Sequence, residues 1–383
     1  MLNFTFHNPT QIFFGEDQIA AIAKQIPADA KILVTYGGGS IKSNGVYEQV
    51  STALKDHNWI EFSGIEPNPQ FDTLMKAVDI VKAEGITYLL AVGGGSVVDG
   101  TKFIAAAARF EGDEPWDILA KQAQVKDAVP LSCVLTLPAT GSESNIGAVV
   151  TRDTTKLAFM SPFVRPVFAV LDPKVTLSLS ERQIANGVVD AFVHTMEQYL
   201  TFPVNAKVQD RFSEGLLMNL IEEGPKVLAN PDDLEVRSNI MWSATMALNG
   251  LIGSGVPQDW STHMIGHELT GQYGIDHART LAIILPAVMK VQREQKRGKL
   301  VQYAQRVWNI VDGTEDEVID QAIEKTEAFF KAMGMPVRLT DADLDAESID
   351  NILAQLELHG MTSLGEHGDM TPEVNRKVLE AAL

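Results

Sequence analysis

The sequence predicts a protein of two domains, an α/β domain built on a parallel sheet over residues 1–178 and an all-α domain over residues 179–383. Its 383 residues are more than one hydrophobic core usually serves. The first half alternates short β-rich runs with helical stretches, whereas the chain after Pro173 has helical periodicity and almost no strand signal. We therefore expect strands and helices first, and helices alone afterwards.

Continuous apolar runs in the first half have the composition of buried strands. They are KILVTY at 31–36, ITYLLAV at 86–92, CVLTLP at 133–138 and VFAVLDP at 167–173. Helical patterns such as FDTLMKAVDIVKAEG and GTKFIAAAARF separate them, which is typical of a parallel sheet covered on both faces. The single cysteine, Cys133, lies in the third run, so we expect it to be a buried strand residue and not a reactive thiol.

The all-α domain is predicted to begin at a capped helix. Ser180 followed by Gln183 has the spacing of a capping box at the start of QIANGVVDAFVHTMEQYL. Glycine and proline in GSGVP at 253–257 mark a loop between later helices.

Composition and charge exclude several classes of function. The formal net charge of −19 at pH 7 repels phosphate backbones, so we expect no nucleic-acid partner. No segment reaches the roughly 18 consecutive apolar residues that cross a bilayer, so we expect no membrane association. The start, MLNFTFHNPTQ, lacks the pattern of a secretory signal, and one cysteine allows no intrachain disulfide. These observations favour a soluble cytoplasmic protein.

Glycine-rich turns after two of the predicted strands indicate a nucleotide site. Glycines let the backbone approach a phosphate, and the start of the following helix supplies N–H groups and a positive dipole end. GGGSVVDG at 93–100 has this layout, with a helix expected from about Val97, and predicts a pyrophosphate cradle. Its residues are Gly93, Gly94, Gly95 and Ser96. The usual GxGxxG spacing is absent, so a tight turn without a ligand is the alternative.

The other glycine turn bears on the choice of nucleotide. NAD sites usually place an Asp or Glu after a strand to bond the ribose hydroxyl. Here the strand ending at Tyr36 is followed by no carboxylate, which favours NADP(H) over NAD(H). The residues expected at this end of the cofactor are Gly37, Gly38, Gly39, Ser40 and Lys42. Lys42 fits an exposed surface lysine as well.

A third strand end carries hydroxyl groups. Thr136 and Leu137 close the strand CVLTLP, and Thr140 and Ser142 follow in ATGSES. Such a strand end can line a nicotinamide pocket, and a polar turn without a ligand explains the same residues.

Histidines in the second half have the spacing of metal ligands. Asp190 and His194 are four residues apart on a helical segment and so share one face. His263 and His267 repeat that spacing, and His277 follows a glycine-containing loop. One carboxylate with imidazoles suits Fe²⁺, Zn²⁺, Co²⁺ or Ni²⁺ better than Mg²⁺ or Ca²⁺. Spacing alone does not decide which four of the five candidates bind.

Several motifs together resemble a known family. The sequence contains, in this order, GGGSVVDG, PATGSES, DAFVHTMEQY and THMIGHELTGQYGIDHARTLA, which are similar to motifs of the iron-containing (group III) alcohol dehydrogenases. Within that family the sequence looks like the YqhD-like branch of NADPH-dependent aldehyde reductases and butanol dehydrogenases. The resemblance covers essentially the whole chain, from TQIFFG to HGMTSLGE.

The resemblance implies a dehydroquinate-synthase-like fold, in which a dinucleotide-binding α/β domain precedes a helical metal domain and the active site lies in the cleft between them. It implies one divalent metal, Fe²⁺ or Zn²⁺, and a homodimer. The implied ligands are Asp190, His194, His263 and His277. His267 matches a histidine near the metal that is not a primary ligand, and is a candidate proton relay or a packing residue.

The resemblance also assigns residues at the nicotinamide. Asp99 and Lys156 match positions on that side of the cofactor, although Lys156 by itself looks like an exposed loop lysine. The implied reaction transfers hydride between NADP(H) and a small alcohol or aldehyde. The apolar residues Phe159, Trp260 and Leu251 fit either short aliphatic substrates or core packing.

Two alternatives remain at this stage. A lyase or polyol-phosphate dehydrogenase of the same fold binds phosphorylated substrates and needs several Lys or Arg near the metal. Between residues 190 and 277 the motif helices carry few basic residues. A non-catalytic metal- or nucleotide-binding protein is the third interpretation.

Overall fold

The computed structural model describes residues 1–383, which form two compact units. The first unit is His7–Leu179, and the second joins Met1–Phe6 to Ser180–Leu383. The start of the chain is held in the second unit, because Leu2 N–H donates to Gly255 O at 2.9 Å. These units differ from the predicted ranges, 1–178 and 179–383, at the first six residues, which no sequence pattern marks, and at Leu179, which belongs to the first unit.

The unit His7–Leu179 contains all the strands of the protein. They are β1 (Gln11–Phe14), β2 (Lys31–Tyr36), β3 (Asn58–Phe62), β4 (Tyr88–Gly94), β5 (Leu131–Leu137), β6 (Gly147–Arg152), β7 (Thr155–Met160) and β8 (Phe168–Leu171). Six of them form a parallel sheet in the order β1-β8-β5-β4-β2-β3. β6 and β7 form a separate antiparallel hairpin.

Helices cover the faces of this sheet. They are α1 (Ile22–Gln25), α2 (Ser40–Ser43), α3 (Val46–Ala53), α4 (Phe71–Glu84), α5 (Gly95–Ala107) and α6 (Asp117–Ala120). One core contains side chains of β2, β4, β5 and β8 together with Ile22 of α1 and Val50 of α3. The predicted α/β class with a parallel sheet is confirmed, and Cys133 is fully buried in β5 as expected.

The strands β1, β3, β6 and β7 were not predicted from the sequence. β1 has only four residues and lies at the edge of the sheet. β3 and the hairpin mix polar and apolar residues, and their longest apolar run is the four residues LAFM at the end of β7. Edge strands and hairpins bury fewer side chains than central parallel strands, so they lack the long apolar runs from which buried strands are predicted.

The order of the strands places a crevice between β2 and β4 at the carboxyl end of the sheet. After β2 the chain forms β3 on one side, and then crosses to β4 on the other side of β2. Ligands of open parallel sheets bind where the strand order reverses in this way. Both glycine-rich turns follow the two strands concerned.

The second unit is helical throughout and contains no strand. Its helices are α7 (Glu181–Tyr199), α8 (Lys207–Ala229), α9 (Leu234–Ala247), α10 (Ser261–Tyr273), α11 (His277–Val291), α12 (Arg297–Arg306), α13 (Glu315–Ala332), α14 (Ala346–Leu358) and α15 (Pro372–Ala381). The predicted capping box is present, because the Ser180 and Gln183 side chains each bond the other's backbone. No helix combines the length and apolarity required to cross a membrane.

Helix α7 lies in the middle of this unit. It packs against α8, α9 and α11, and its residues 187–199 are all buried. A helix buried on every side places even its polar residues away from water. The predicted metal ligands Asp190 and His194 are on this buried stretch.

Candidate functional site

Three helices of the second unit bring the predicted metal ligands together. Asp190 and His194 are one turn apart on α7, His263 is in the first turn of α10, and His277 is the first residue of α11. The Nε2 atoms of His194, His263 and His277 lie 3.7, 3.9 and 3.7 Å from Asp190 Oδ1. The rings of His194 and His263 are stacked, with centroids 4.7 Å apart.

The ligand atoms of Asp190, His263 and His277 all lie within 4.8 Å of one another, which fits a single divalent cation, and His194 Nε2 adds a fourth nitrogen close to Asp190 Oδ1. Ligand bonds of about 2.1 Å in a tetrahedral site place neighbouring ligand atoms about 3.4 Å apart. Asp190 Oδ1 is buried and accepts no hydrogen bond, which is costly for a carboxylate oxygen unless a cation neutralises it. One oxygen with three imidazole nitrogens suits Fe²⁺ or Zn²⁺. The residues present therefore fit the metal that the sequence motifs imply.

His267 lies beside this cluster. Its ring centroid is 5.1 Å from that of His277 and 6.3 Å from that of His263, and the side chain is buried. The atoms that converge belong to Asp190, His194, His263 and His277, so His267 lies next to the predicted metal site and is not one of its ligands.

Glu197 is a buried residue of the site that the sequence analysis missed. Its carboxylate bonds Nδ1 of His263, and its Oε1 accepts the Thr262 N–H at 2.7 Å. Burial raises the pKa of this carboxyl well above its usual range. A carboxylate on the far nitrogen of a ligating histidine orients the ring and sets its tautomer. The signal was available, because Glu197 follows Asp190 by seven residues on one helix face.

A buried ion network fixes the loop before α10. Lys296 Nζ lies 2.7 Å from Asp259 Oδ2 and 2.7 Å from Glu366 Oε2, and all three side chains are at most 5% exposed. Burial opposes the charge of Lys296, but the two carboxylates outweigh it and raise the pKa of the amine. Asp259 in turn accepts the Ser261 N–H at 2.8 Å through Oδ1. The network thereby anchors the start of the helix that carries His263.

In the α/β unit, the glycine turns meet at adjacent strand ends. β4 runs into α5 without an intervening turn, so the helix begins at Gly95 and not near Val97 as expected. A Cβ on Gly93 would lie 2.6 Å from Val97 Cγ2, and one on Gly95 would lie 2.5 Å from Thr140 Oγ1. Glycine is therefore required for α5 to begin directly at the strand end, where its N–H groups can face a phosphate.

Asp99 and Ser142 join the predicted cofactor segments to one another. Asp99 Oδ1 accepts the Ser142 hydroxyl at 2.6 Å, and Oδ2 accepts the Val149 N–H at 2.9 Å. Burial raises the pKa of the Asp99 carboxyl. Thr136 and Leu137 end β5 in half-buried positions, and the Leu137 side chain packs on Gly94.

Asn68 is a second residue that the sequence analysis missed. It has a left-handed backbone, with φ of 54°, in the loop after β3. Its N–H donates to Ser96 Oγ at 3.3 Å, and its Oδ1 accepts Lys156 Nζ at 2.9 Å. Lys156 is thus a buried residue of β7, and its alternative description as an exposed loop lysine is wrong. The structure brings Ser96 and Lys156 together through Asn68.

Lys42 and Ser40 lie in the short helix α2 after the first glycine turn. Lys42 is half-exposed, and its Nζ lies 3.6 Å from Glu61 Oε2 and 4.7 Å from the centre of the Tyr47 ring. Tyr36 donates its hydroxyl to the same carboxylate at 2.8 Å. No acidic residue lies between Tyr36 and Ser43 in the chain, but Glu61 of β3 reaches this region from the neighbouring strand.

Comparison with known families decides what kind of protein carries these sites. The family model described as "Iron-containing alcohol dehydrogenase" matches residues 9–173. A second, described as "Fe-containing alcohol dehydrogenase family, C-terminal", matches residues 184–383. The chain belongs to the iron-containing alcohol dehydrogenase family. The resemblance predicted from the motifs is confirmed.

Curated iron-containing alcohol dehydrogenases match the chain over its full length. It is 60% identical over 386 residues to the NADPH-dependent aldehyde reductase YqhD of Escherichia coli, covering 100% of both chains. It is 39% identical over 390 residues to the probable NADH-dependent butanol dehydrogenase 1 of Bacillus subtilis, again covering 100% of both. These relatives are oxidoreductases acting on CH–OH donors, the enzyme class that the sequence predicted.

Solved structures of the iron-containing alcohol dehydrogenase family have the same fold. The structure of YqhD from Escherichia coli K-12 matches with a TM-score of 0.99 at 58% identity, covering 100% of this chain and 99% of that one. NADH-dependent butanol dehydrogenase A from Thermotoga maritima matches with a TM-score of 0.96 at 37% identity, with coverage of 100% and 99%. The predicted fold is confirmed.

Proposed function

We propose that the protein is a metal-dependent aldehyde reductase that transfers hydride between NADP(H) and a small aldehyde or alcohol. The observation that carries the proposal is the convergence of three imidazole nitrogens on the buried oxygen of Asp190 in a chain of this family. In the reducing direction the aldehyde carbon accepts hydride from NADPH and the oxygen accepts a proton. The products are NADP⁺ and the primary alcohol, so atoms and electrons balance.

Asp190, His194, His263 and His277 would hold the metal, which we propose to be Fe²⁺ or Zn²⁺. When bound, such a cation supplies a Lewis acid that polarises a carbonyl group and stabilises negative charge on its oxygen. Glu197 orients His263 for this purpose, and Asp190, His194 and His263 are buried. His267 would deliver the proton, because an imidazole ring can accept and release a proton and this one lies beside the cluster.

The α/β unit would hold NADP(H) across the ends of β2 and β4. Gly93–Gly95 and Ser96 would receive the pyrophosphate, and Asp99, Lys156, Thr136, Leu137, Thr140 and Ser142 would line the nicotinamide side. Gly37–Gly39, Ser40 and Lys42 would receive the adenosine ribose and its 2′-phosphate.

A preference for NADPH over NADH rests on two observations. No acidic residue follows Tyr36 up to Ser43, and a relative of 60% identity is named as NADPH-dependent. The Glu61 carboxylate lies in this region, and the Lys42 ammonium group offsets its charge. Relatives of 39% and 37% identity are named as NADH-dependent, and steady-state kinetics with NADPH and NADH test the preference of this protein.

Phosphorylated substrates fit the helical unit poorly. The predicted ligands are contacted by Glu197 and the indole of Trp260, and the nearby cations are already paired. Lys296 is neutralised by two carboxylates, and Arg182 is paired with Asp276, the residue before His277. A lyase or polyol-phosphate dehydrogenase would need basic groups for its phosphate. We also propose that the enzyme works in the cytoplasm as a homodimer, as the family resemblance implies.

The proposal is tested with metal-stripped protein reloaded with Fe²⁺ or Zn²⁺ under anaerobic conditions. NADPH oxidation with butanal should require the metal, and His263→Ala should lose both bound metal and turnover. His367→Ala, which removes an exposed histidine of the same unit, serves as the matched control. Full activity of the stripped protein, or a clear preference for NADH, would contradict the corresponding part of the proposal.

A further inference from the structure

Trp260 has an unusual backbone next to the predicted metal ligands. It immediately precedes α10 and has φ of 64° and ψ of 4°, in the left-handed region. That region is uncommon for any residue with a side chain and is a rare outlier for a bulky one. Such strain persists only where the surroundings hold it in place, and it concentrates at functional positions.

Both neighbours of Trp260 are held by buried hydrogen bonds. The Asp259 N–H donates to Glu197 O at 2.9 Å, and Asp259 Oδ1 accepts the Ser261 N–H at 2.8 Å. Lys296 holds the other oxygen of Asp259 at 2.7 Å. The chain is therefore fixed on each side of Trp260, which compensates for its left-handed conformation.

This conformation sets the indole against the histidine cluster. The Trp260 ring centroid is 5.2 Å from that of His263 and 6.1 Å from that of His194, both in edge-to-face arrangements. Its one polar atom, Nε1, donates to Gln258 Oε1 at 2.8 Å. The remaining ring is apolar, and the side chain is only half-buried, so part of it stays open for contact.

We propose that Trp260 is a specificity-determining residue that limits the length of the aldehyde. The inference rests on the proposed aldehyde reduction. A substrate reacting at the four-residue cluster has its first alkyl carbons within a few ångströms of that cluster, where the indole presents a rigid apolar wall. Short chains pack against this wall, whereas longer or branched chains collide with it. Single methylene groups change kcat/KM by about 10-fold or more in such pockets.

The test compares Trp260→Gly and Trp260→Phe with Trp242→Phe. Glycine suits the left-handed backbone and removes the wall, so the variant should fold, and phenylalanine keeps most of the wall. Trp242 is a 43% exposed tryptophan on α9 and serves as the matched control. We measure kcat/KM for propanal, butanal, hexanal and octanal with NADPH. The ratio for octanal over propanal should rise by about 10-fold or more in Trp260→Gly and stay unchanged in Trp242→Phe.

An equal change for all four aldehydes in Trp260→Gly would overturn the proposal, because a general loss indicates a supporting role. If Trp260→Gly does not fold, Trp260→Phe tests the proposal instead. Its ratio of kcat/KM for octanal over propanal should also rise, but by less. A profile identical to wild type in Trp260→Phe, together with loss of folding in Trp260→Gly, would also count against the proposal.

A second readout does not depend on turnover. Paramagnetic Co²⁺ at the cluster should quench the fluorescence of the indole beside it, and this quenching should largely disappear in Trp260→Phe while Co²⁺ stoichiometry stays the same. Loss of Co²⁺ binding in Trp260→Phe would make Trp260 a support of the metal site and overturn the size limit. If loaded wild type reduces no aldehyde, the proposed function fails and the size limit with it, and intact quenching would show that the site itself is sound.

Discussion

Glu197 is the buried residue on which the orientation of a predicted metal ligand depends most directly. It bonds the outer nitrogen of the His263 ring and, through the Thr262 N–H, the first turn of α10. The partners are 66 residues apart in the chain, so the contact exists only in the folded protein. At the residue scale the predicted metal site therefore includes Glu197, which orients the ligand His263, as well as the ligands themselves.

Replacing Glu197 by Gln should weaken metal binding by about 10- to 100-fold, because an amide is a weaker hydrogen-bond acceptor than a carboxylate and raises the basicity of the imidazole less. The measurement is competition for Zn²⁺ with a chromophoric chelator. Glu223→Gln, which alters a buried carboxylate of α8 paired with Lys226, is the control and should keep wild-type affinity. Equal affinity in Glu197→Gln and wild type would refute the role assigned to Glu197.

The buried phenol of Tyr88 in β4 is expected to make the protein less stable at high pH. It shares a hydrogen bond of 2.6 Å with Ser132, and burial raises the pKa of its phenol to about 12. Below pH 10 both the folded and the unfolded protein keep the proton. Between about pH 10 and 12 mainly the unfolded chain loses it, so the free energy of unfolding falls as the pH rises, by up to about 3 kcal/mol.

Tyr88→Phe should remove this part of the alkaline destabilisation. At pH 7 the variant should be about 1 kcal/mol less stable than wild type, because the hydrogen bond to Ser132 is lost. The difference should shrink or reverse between pH 10 and 12. Urea midpoints at pH 7, 10 and 11.5 provide the measurement, and a constant difference across this range would contradict the assignment.

At the scale of elements, the close approach of α10 and α11 brings His263 and His277 together. Gly266 of α10 lies where the two helices approach each other. A Cβ at this position would be 2.7 Å from Thr280 Oγ1 and 3.1 Å from Leu281 Cδ2 of α11. Thr280 cannot move freely, because its hydroxyl donates to His277 O at 2.7 Å and its side chain is fully buried. The absence of a side chain at position 266 is thus what allows the two helices to make one site.

Gly266→Ala should therefore separate α10 from α11. We expect a loss of about 1–3 kcal/mol in the free energy of unfolding and weaker Zn²⁺ binding. Gly215→Ala in α8 is the matched control, because no atom lies within 4 Å of the added Cβ. The control should gain about 0.5–1 kcal/mol from lower chain entropy. Urea unfolding of both variants checks the prediction, and a gain in both would show that α10 and α11 tolerate a wider separation.

At the scale of the whole molecule, each unit has its own compact core and its own expected ligand. The helical unit carries the four predicted metal ligands, and the unit His7–Leu179 carries the glycine turns at the strand ends. A ligand that binds only the folded form stabilises the unit that binds it, by about 2.7 kcal/mol at 100 times its dissociation constant.

Calorimetry should therefore separate the two ligands. Zn²⁺ should raise the unfolding temperature of the helical unit, and this shift should vanish in His263→Ala. NADPH should still stabilise His263→Ala, because its predicted site lies in the other unit. A variant that lost both effects would contradict separate binding sites in the two units.

The amino-acid sequence by itself determined the fold class, because buried parallel strands and amphipathic helices each leave a periodicity in the chain. It also determined the helix start at Ser180 and the five metal-ligand candidates, since these depend on residues three or four positions apart. The family motifs then selected four of the five. All of this information is local in the chain or contained in short motifs.

The tertiary structure alone decided which distant residues complete the sites. Asn68 meets Lys156 across 88 positions, Glu61 reaches Lys42 from a neighbouring strand, and Lys296 anchors Asp259. It also moved Lys156 from an expected loop into a buried strand. Such pairs have no fixed spacing in sequence, because the packing of helices and strands brings them together only when the cores form. The same physical reason explains why the backbone of Trp260 could be recognised only in the folded chain.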